Sequence, residues 1–465
     1  MNFIGIDIGS SSIKGAVLDL ERCRMGDVVQ VPCPGPVADL PPRQFELDAP
    51  AVVEAVRGVL SRLLESVSDC AGIVSCSQMA GVVLAEPNSG APLSNYMSWR
   101  DQRALDCIPG QSTTYFESMR DSISDRDWDT LGGELKLGSA LCLLTWCRHQ
   151  NRLPDKAVPL MLGDFVWRQL AAGESATEFS NALGALDLST ADWQRPIIAD
   201  LGLDGLSWPR LVNPWDQIGS VVIRGQSIPC FPSVGDHQCS LLGTFLEQNE
   251  LSINVSTGSQ ISLLSASYDP GAYQIRPYFE QRLLNTLTHL PAGRALNALV
   301  DLVSTLAVAN ADSVPDPWPQ ILRAAEAAGT SDLSVDLSFF EGPMGSRGAI
   351  DNISLENLSL GSLFRAAFEN MADNYAECAH RLSPSAGYKG LVLSGGLVRK
   401  SGLLRELIAE RFDCPIRVSP EEEESLSGLL VLALRASGRA SNLSEAFGMV
   451  RQAHQSSAAL ESSSS

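Results

Sequence analysis

The sequence predicts an α/β protein with two related lobes, and three patterns lead to that prediction. Two apolar strands enclose a small-residue turn within residues 3–20, and the same plan returns within residues 251–264. After the first copy, and again toward the C-terminus, segments with helical spacing of apolar residues alternate with short apolar strands. The two copies share a pattern rather than identical residues.

The hydrophobic patterns predict the following elements in chain order: strands at 3–8 and 13–20, a helix at 51–64, a strand at 72–76, a mostly helical middle at 135–173, strands around a turn at 251–264, a helix at 363–382, a strand at 390–394 and a helix at 402–412. A proline-rich irregular segment at 209–232 predicts the main boundary. We therefore expect an N-terminal domain at 1–232, a C-terminal domain at 233–450 and a disordered, serine-rich tail at 451–465.

A run of glutamates precedes the last helical segment of the C-terminal domain. Ser419 and Pro420 have the order of a cap and a first helical residue, and Glu422 completes the pattern of a capping box. The four glutamates would also favour the positive end of a helix dipole. A helix start at this place is the prediction, and a metal or partner site is the alternative.

The composition excludes several classes of function. The chain has 465 residues, of which 45% are hydrophobic and 19% charged, as in ordinary globular proteins. Lys and Arg number 34 against 54 Asp and Glu, which gives a net charge of −20. Nonspecific binding to nucleic acids or anionic membranes depends on cationic side chains that neutralise phosphates. Neither a nucleic acid nor a membrane is therefore expected as a partner.

Targeting features and cysteine usage favour a cytoplasmic location. The opening segment lacks the basic region of a secretory signal and has Asp7 within its apolar stretch. No apolar run approaches the roughly 18 residues of a membrane span. The eleven cysteines are scattered without a C-x-x-C pair, and only five histidines accompany them. Free thiols in a reducing compartment are expected, rather than disulfides or a metal cluster.

Three turns are candidate nucleotide-binding loops. They consist of Gly9, Ser10, Ser11 and Ser12 in the first copy of the repeat, of Ser256, Thr257, Gly258 and Ser259 in the second, and of Gly395 and Gly396 between a strand and a helix. Small residues let backbone N–H groups approach phosphate, and paired glycines let a flat ligand lie on the backbone. Plain tight turns are the alternative, since the standard nucleotide-loop spacings are not found in these turns.

Two acidic residues are the candidates for metal binding and proton transfer. Asp7 lies in an apolar strand, where a carboxylate is costly to bury unless it is paired, and beside a phosphate loop it could hold Mg²⁺ through water. Asp236 follows the proline-rich segment next to a glycine, where it could accept a proton from a substrate hydroxyl. Its alternative role is the N-cap of the next helix. We expect His237 to pack or cap rather than act as a base.

A polar group with one aromatic residue is the candidate sugar site. Carbohydrate sites need planar donors and acceptors for hydroxyls and an aromatic face for the C–H side of a sugar. Gln78 and the stretch Trp99-Arg100-Asp101-Gln102-Arg103 supply both. A solvated charged loop with one buried tryptophan is the alternative.

Six features in chain order resemble the FGGY family of carbohydrate kinases. They are GIDIGSSSIKG, SQMAG, WRDQRA, GDHQ, NVSTGSQISLL and LSGGLVRKSGLLRELIAERF, and they span nearly the whole chain. The resemblance implies two ribonuclease-H-like, actin-like ATPase domains with a cleft between them. The N-terminal domain would bind the sugar and the C-terminal domain the nucleotide. It also implies ATP and Mg²⁺ as cofactors, a small-molecule sugar as partner and a homodimer as the assembly.

The resemblance also implies roles for the candidate residues. Asp236 would be the catalytic base and Asp7 the metal-binding residue. Sugar contacts would come from Gln78, Met79, Trp99, Arg100, Asp101 and Asp236. ATP contacts would come from Gly9, Ser10, Ser11, Ser12, Lys14, Ser256, Thr257, Gly258, Ser259, Gly395 and Gly396.

Within the family, the chain is most similar to sedoheptulokinase-like members. The stretches 276–279, 291–297 and 345–350 carry that similarity, which implies conversion of sedoheptulose to sedoheptulose 7-phosphate. A xylulokinase-like enzyme or another pentulose or polyol kinase is the alternative, although Ala80 stands where xylulokinases have a histidine. Residues 177–180 depart from a common S-D-x-S pattern and are left outside the site. The alternatives from other classes are a noncatalytic nucleotide- or sugar-sensing protein and an actin-like ATPase acting on protein.

Overall fold

The computed structural model describes residues 1–67, 69–308 and 316–464. The chain divides into two compact units. The first unit comprises Met1–Phe245, Ile275–Leu283 and Glu423–Ser465, and the second comprises Leu246–Gln274 and Leu284–Glu422. Within the described residues, no helix is long and apolar enough to cross a membrane.

The strands are β1 (Asn2–Ile8), β2 (Ser12–Asp19), β3 (Arg24–Met25), β4 (Val29–Pro32), β5 (Glu46–Leu47), β6 (Cys70–Ser77), β7 (Val83–Ala85), β8 (Tyr96–Met97), β9 (Val158–Leu160), β10 (Ala171–Ala172), β11 (Ala176–Glu178), β12 (Leu186–Asp187), β13 (Asp192–Trp193), β14 (Arg210–Val212), β15 (Gly219–Ile223), β16 (Gln226–Gly235), β17 (Glu250–Asn254), β18 (Ser259–Ser265), β19 (Gln274–Tyr278), β20 (Arg282–Leu290), β21 (Ser334–Asp336), β22 (Ala349–Asp351), β23 (Gly390–Ser394) and β24 (Ile416–Val418).

The α-helices are α1 (Ala49–Leu63), α2 (Tyr115–Ser122), α3 (Asp125–Thr130), α4 (Ala140–His149), α5 (Leu162–Leu170), α6 (Arg195–Asp200), α7 (Asp236–Gly243), α8 (Gly293–Val308), α9 (Trp318–Ala327), α10 (Leu360–Leu382), α11 (Gly396–Lys400), α12 (Gly402–Ala409), α13 (Glu424–Ala436) and α14 (Leu443–Ser464). Short 3-10 helices cover Arg103–Leu105 and Phe179–Asn181.

The main sheet of the first unit has a parallel centre. Its strand order is β10-β15-β16-β6-β1-β2-β3, with β4 paired to β2. Strand β1 is antiparallel to β2 and parallel to β6, which is parallel to β16. Ile4, Ile6 and Ile8 of β1 are fully buried, because parallel strands at a sheet centre are covered on both faces. Helix α1 contributes buried valines to the same core.

The second unit repeats this plan. The order of neighbours in its sheet is β20-β18-β17-β23-β24. Strand β17 is antiparallel to β18 and parallel to β23, as β1 is to β2 and β6. Helix α10 supplies Phe364, Phe368 and Tyr375 to the core beside these strands. The predicted α/β class with two related lobes is thereby confirmed.

The compact units differ from the predicted boundary at residue 232. The first unit continues through α7 and takes up the chain again from Glu423. Gly243 of α7 lies against the carbonyl of Glu424, and Gly428 of α13 lies against the carbonyl of Cys239. Because glycines at these positions let the two helix backbones touch, α13 packs with the first unit. This pairing joins residues far apart in the sequence.

Two local predictions near the C-terminus also differ from the structure. Helix α13 begins at Glu424 and not at Pro420, and its N-cap Glu423 makes no side-chain cap hydrogen bond. The predicted capping box is therefore wrong, because the backbone N–H of Ser419 donates to the carbonyl of Leu393 in the sheet. The tail predicted to be disordered belongs to α14 as far as Ser464, and Ser465 lies outside the described residues.

Candidate active site

Three predicted site residues follow the ends of neighbouring parallel strands in the first unit. The register pairs Ile8 with Ser77, and Ser77 with Gly235. Gly9, Gln78 and Asp236 come directly after these positions. Because the carboxyl ends of parallel strands meet at one edge of a sheet, the three residues share that edge, where ligands bind in open α/β sheets. We call Gly9, Gln78 and Asp236, together with Asp7, the first edge.

Asp236 is the first residue of α7, and the N-cap is Gly235. The alternative prediction of Asp236 as the N-cap is therefore wrong. Its Oδ1 accepts a hydrogen bond from the backbone N–H of His237 at 2.8 Å. Burial raises the pKa of Asp236 to about 7, and the negative charge of Asp7 adds to that effect, while Arg276 opposes it. A carboxylate with a pKa near neutrality is suited to general-base work.

Asp7 has one satisfied and one free carboxylate oxygen. Its Oδ2 accepts a hydrogen bond from the hydroxyl of Ser425 at 2.6 Å, whereas its buried Oδ1 has no hydrogen-bond partner among the described residues. Burial raises the pKa of Asp7 above its usual range. A free buried oxygen of this kind is costly unless a cation or water completes it.

The Asp7 oxygen fits a magnesium ion that keeps most of its water. Among the described residues, no group of three or more His, Cys, Asp and Glu side chains is placed to hold a metal. Mg²⁺ is usually bound through one or two carboxylates, several waters and substrate phosphates rather than by an all-protein cage. Asp7 can therefore supply the carboxylate ligand of such a site.

The structure brings Gln78, Met79 and Trp99 together with Asp236. Trp99 Nε1 donates to Gln78 Oε1 at 3.1 Å, while Gln78 Nε2 is buried without a hydrogen-bond partner in the described part of the chain. A Cβ atom on Gly235 would lie 2.5 Å from Met79 Sδ, so the thioether packs directly against the residue before Asp236. Trp99 is 40% exposed, so its ring is partly accessible. This arrangement offers a free amide donor and a ring, as a sugar requires.

Arg100 and Asp101 have different environments from each other. The Arg100 guanidinium lies 5.2 Å from the ring centroid of Phe45 and 5.3 Å from that of Trp99. Asp101 is fully buried and accepts hydrogen bonds from Arg103 Nε at 2.8 Å and from the N–H of Phe45 at 2.7 Å. The Asp101 carboxylate is thus satisfied inside the protein, and the structure does not bring it to the first edge as a free acceptor.

The first predicted phosphate loop is a tight turn between β1 and β2. The backbone N–H of Gly9 donates to the carbonyl of Ser12 at 3.1 Å, and Ser11 is exposed. Lys14 Nζ lies 2.6 Å from Glu423 Oε2. The ion pair engages the ammonium group and the turn engages the Gly9 N–H, so the backbone N–H groups of Ser10 and Ser11 are the remaining candidates for phosphate contact.

The second predicted phosphate loop and the glycine pair share an edge of the second unit. The register pairs Asn254 with Ser394, so Ser256, Thr257 and Gly258 on one side and Gly395 and Gly396 on the other follow adjacent parallel strands. We call these five residues the second edge. The backbone N–H of Gly293, at the start of α8, donates to the carbonyl of Ser256 at 3.1 Å. The N–H of Arg294 likewise donates to the carbonyl of Thr257 at 2.7 Å, so the start of α8 holds this loop in place.

Gly395 and Ser259 each have a specific local role in this region. Gly395 has φ +94°, and a Cβ there would collide with the carbonyl of Val255, whereas Gly396 has open space. Only glycine suits position 395 without strain. Ser259 is fully buried, and its hydroxyl shares a hydrogen bond of 2.7 Å with the hydroxyl of Tyr375. Its side chain therefore serves packing and is not available to a nucleotide.

The structure adds residues that the sequence did not identify. Arg276 Nε donates to Glu134 Oε1 at 2.6 Å, and Arg276 Nη1 contacts His237 Nδ1 at 2.8 Å. Since arginine can only donate, His237 Nδ1 accepts. Burial and the Arg276 charge hold the pKa of His237 well below its usual range, so the ring is neutral. This agrees with the expectation that His237 is not a base.

Residues 177–180, which were not among the predicted site residues, also lie close to the first edge. Ser180 Oγ accepts a hydrogen bond from the backbone N–H of Gly235 at 2.8 Å. The signal in the sequence was a partial match to the S-D-x-S pattern, from which this stretch departs.

Two sheets with the same hairpin plan, one with carboxylates at its edge and one with a glycine turn, define an actin-like ATPase fold of two domains. The chain belongs to the FGGY family of carbohydrate kinases. The N-terminal domain of that family matches residues 2–243, and its C-terminal domain matches residues 301–437. The predicted family is thereby confirmed.

Individual relatives are distant. "Glycerol kinase 2" of Saccharolobus solfataricus is 25% identical over 292 residues, which are 61% of this chain and 56% of that protein. The chain thus spans about half the length of this curated relative.

Solved structures agree in fold over a larger share of the chain. The ligand-bound xylulose kinase of Lactobacillus acidophilus has a TM-score of 0.82 at 18% identity and covers 96% of this chain and 92% of its own. The glycerol kinase of Plasmodium falciparum with ADP has a TM-score of 0.82 at 16% identity and covers 97% of this chain and 92% of its own. At such identities the likeness shows the fold alone.

Proposed function

We propose that this chain transfers the γ-phosphoryl group of ATP to a terminal hydroxyl of a small sugar. The observation that carries the proposal is the position of Asp236. It follows the carboxyl end of β16 on the same sheet edge as Gln78 and Asp7, whose Nε2 and Oδ1 have no hydrogen-bond partner among the described residues, and its pKa is raised to about 7. A base, a sugar donor and a metal-binding oxygen on one sheet edge are what phosphoryl transfer to an alcohol requires.

In this mechanism, Asp236 orients the sugar hydroxyl and accepts its proton. The hydroxyl oxygen forms a bond to the γ-phosphorus, and the bond from that phosphorus to the bridging oxygen of ADP breaks. Gln78 donates a hydrogen bond to the sugar, and Trp99 offers its ring to the C–H face. Mg²⁺, when bound near Asp7, would neutralise phosphate charge. Positioning and charge neutralisation supply most of the catalysis in such reactions.

The nucleotide would be held through uncharged groups. Backbone N–H groups of the turns after β1 and β17 suit phosphates, and the glycine pair at 395 and 396 suits a flat base. The related glycerol kinase of Plasmodium falciparum holds ADP, which supports ATP as the donor here. Lys14 is paired with Glu423 and contributes less to this proposal than its sequence position indicated.

For the acceptor, we propose a ketose, with sedoheptulose as the first candidate. Xylulose is the second candidate, and the xylulose kinase among the structural neighbours supports it. Both sugars present a terminal hydroxyl, and neither the fold nor the residues of the first edge distinguish them. The cytoplasmic location and the homodimer stay predictions.

Asp236→Asn tests the proposal. In a coupled assay of ADP release over C5 to C7 ketoses, aldoses and polyols, we expect a decrease in kcat of about 100- to 10,000-fold with the preferred sugar, because the base is lost. Asp164→Asn is the matched control, since Asp164 is also a buried carboxylate of the first unit but lies on α5. It should keep its activity. Wild-type kcat in Asp236→Asn would exclude the base assignment, and the same ADP release with and without sugar would favour an ATPase.

A further inference from the structure

A buried cluster of polar side chains lies beside the end of β16. It is formed by Glu178 and by the 3-10 helix Phe179–Asn181 that follows β11. Glu178, Ser180 and Asn181 are at most 3% exposed. Buried polar groups are costly unless they make hydrogen bonds, so the partners of these residues indicate their purpose.

Two of the partners are backbone groups just before Asp236. Ser180 Oγ accepts from the N–H of Gly235 at 2.8 Å, and Asn181 Nδ2 donates to the carbonyl of Ser233 at 2.7 Å. These two hydrogen bonds hold the chain on both sides of Val234. Strand β16 therefore ends in a side-chain clamp, which we define as Ser180 and Asn181.

The clamp acts where the sheet alone holds the strand poorly. The pairing of β16 with β15 ends at Cys230, so among the described strands Ser233, Val234 and Gly235 have a strand partner, β6, on one side only. Gly235, the last residue of β16, is a glycine and has more conformational freedom than other residues. Small rotations there would displace the carboxylate of Asp236, which is the next residue.

Glu178 fixes the direction of the Ser180 hydroxyl. The hydroxyl of Ser180 donates to Glu178 Oε2, and the backbone N–H of Ser180 donates to the same oxygen at 2.8 Å. A hydroxyl has one proton and two lone pairs. When Glu178 is ionised and accepts the proton of Ser180, Ser180 Oγ presents a lone pair to the N–H of Gly235.

We propose that Ser180 and Asn181 are positioning residues that place the Asp236 carboxylate for proton transfer. The inference rests on the proposed function, since it concerns the same base. The two residues contact the backbone before Asp236, and neither of them contacts the substrate in the proposed mechanism. Loss of the clamp should therefore reduce kcat more than it weakens substrate binding, because reaction rates are sensitive to small displacements of the reacting groups.

Ser180→Ala tests this, with Thr177→Val as the matched control. Thr177 is also fully buried and donates a hydrogen bond, but to Asp164 at 2.6 Å. For Ser180→Ala we expect kcat to fall about 10- to 100-fold while KM for ATP and for sugar stays within about threefold. Thr177→Val should keep kcat within about twofold, although loss of its hydrogen bond should lower the melting temperature of that variant. Ser180→Thr, which keeps a hydroxyl, should recover most of the loss.

Hydrogen exchange of the Gly235 amide in the full chain gives a second readout that does not depend on turnover. Faster exchange in Ser180→Ala, but not in Thr177→Val, is expected. Equal losses of kcat in Ser180→Ala and Thr177→Val, or wild-type kcat and unchanged exchange in Ser180→Ala, would overturn the positioning role. If the wild-type chain phosphorylates no sugar at all, the proposed function fails instead, and unchanged exchange would still overturn the clamp by itself.

Discussion

The two sheet edges follow one strand plan but have different electrostatics. Near the end of β1 the polar residue is Asp7, with one carboxylate oxygen free, whereas at the end of β17 it is Asn254, whose Nδ2 donates to Ser394 Oγ at 2.8 Å. The first edge gains a second carboxylate from Asp236. The second edge is formed by Ser256, Thr257 and three glycines, all uncharged. The same backbone plan can therefore serve proton transfer at one edge and contact with a nucleotide at the other, according to a few side chains.

The largest effect is expected from removing charge at the first edge. Asp7→Asn should lower kcat by about 100-fold or more and raise the Mg²⁺ concentration needed for half-maximal rate, because the free anionic oxygen is lost. Asn254→Ala, at the corresponding place on the other edge, should change kcat less than about tenfold, since it loses one neutral hydrogen bond. Steady-state kinetics with a Mg²⁺ titration measures both. Equal effects of the two substitutions would remove the proposed difference between the edges.

Backbone geometry should matter most at the second edge. Gly395→Ala should lower the free energy of unfolding by about 2 kcal/mol or more, because a side chain at φ +94° would meet the carbonyl of Val255. Gly396→Ala is the control and should stay within about 1 kcal/mol, as its Cβ would enter open space. Calorimetric unfolding of the two variants distinguishes them. The same loss of unfolding free energy in both variants would mean that the conformation of Gly395 is not the cause of the loss.

The pH dependence should come from the first edge. Burial raises the pKa of Asp236 to about 7, and a general base works only when it is ionised. The value of kcat/KM for the sugar should therefore fall by about tenfold per unit as pH decreases below neutrality. Gly395→Ala alters only the second edge and should leave the midpoint unchanged. A flat profile between about pH 5.5 and 8 would contradict the assignment of Asp236 as the base.

The last expected effect concerns stability alone and comes from a buried carboxyl outside both edges. Burial raises the pKa of Asp164 to about 8, so at intermediate pH the native chain holds a proton that the unfolded chain has lost. This contribution to stability is complete at low pH and is lost as pH rises through that value, at up to about 1.4 kcal/mol per unit.

Asp164→Asn should remove the contribution of Asp164 to the pH dependence of the free energy of unfolding. The free energy of unfolding of the variant, measured with urea at several values from about pH 5 to 8, should therefore rise relative to wild type as pH increases. Parallel curves for the two proteins would show that Asp164 does not titrate as described.

Much of the local structure could be predicted from the sequence. The strand-turn-strand segments, the valine-rich helix α1 and the glycine turn after β23 all follow from short-range periodicity and small residues. The helix start near Pro420 was predicted wrongly, because the backbone N–H of Ser419 is used by the sheet through Leu393. Local capping rules cannot anticipate a partner that comes from another strand.

The hydrogen-bond and ion-pair partners of the polar side chains could not be predicted from the sequence, for the same reason. Asp101 is satisfied by Arg103 and Phe45, Ser259 by Tyr375 and Lys14 by Glu423. Each residue type suited the predicted ligand contact, and only the packing shows whether its polar atoms are already paired. Ser180 and Asn181 illustrate the converse, since a stretch set aside in the sequence contacts the backbone beside Asp236.

By itself, the sequence determined the α/β class, the repeated hairpin and the small set of acidic and glycine positions at the strand ends. Those features depend on the spacing of residues within about ten positions, which periodicity reports directly. Tertiary structure decided which polar atoms are free, that α13 packs with the first unit and that Asp236 is held by a clamp. Burial and hydrogen bonding arise between distant segments, so their energies are fixed only when the chain is folded.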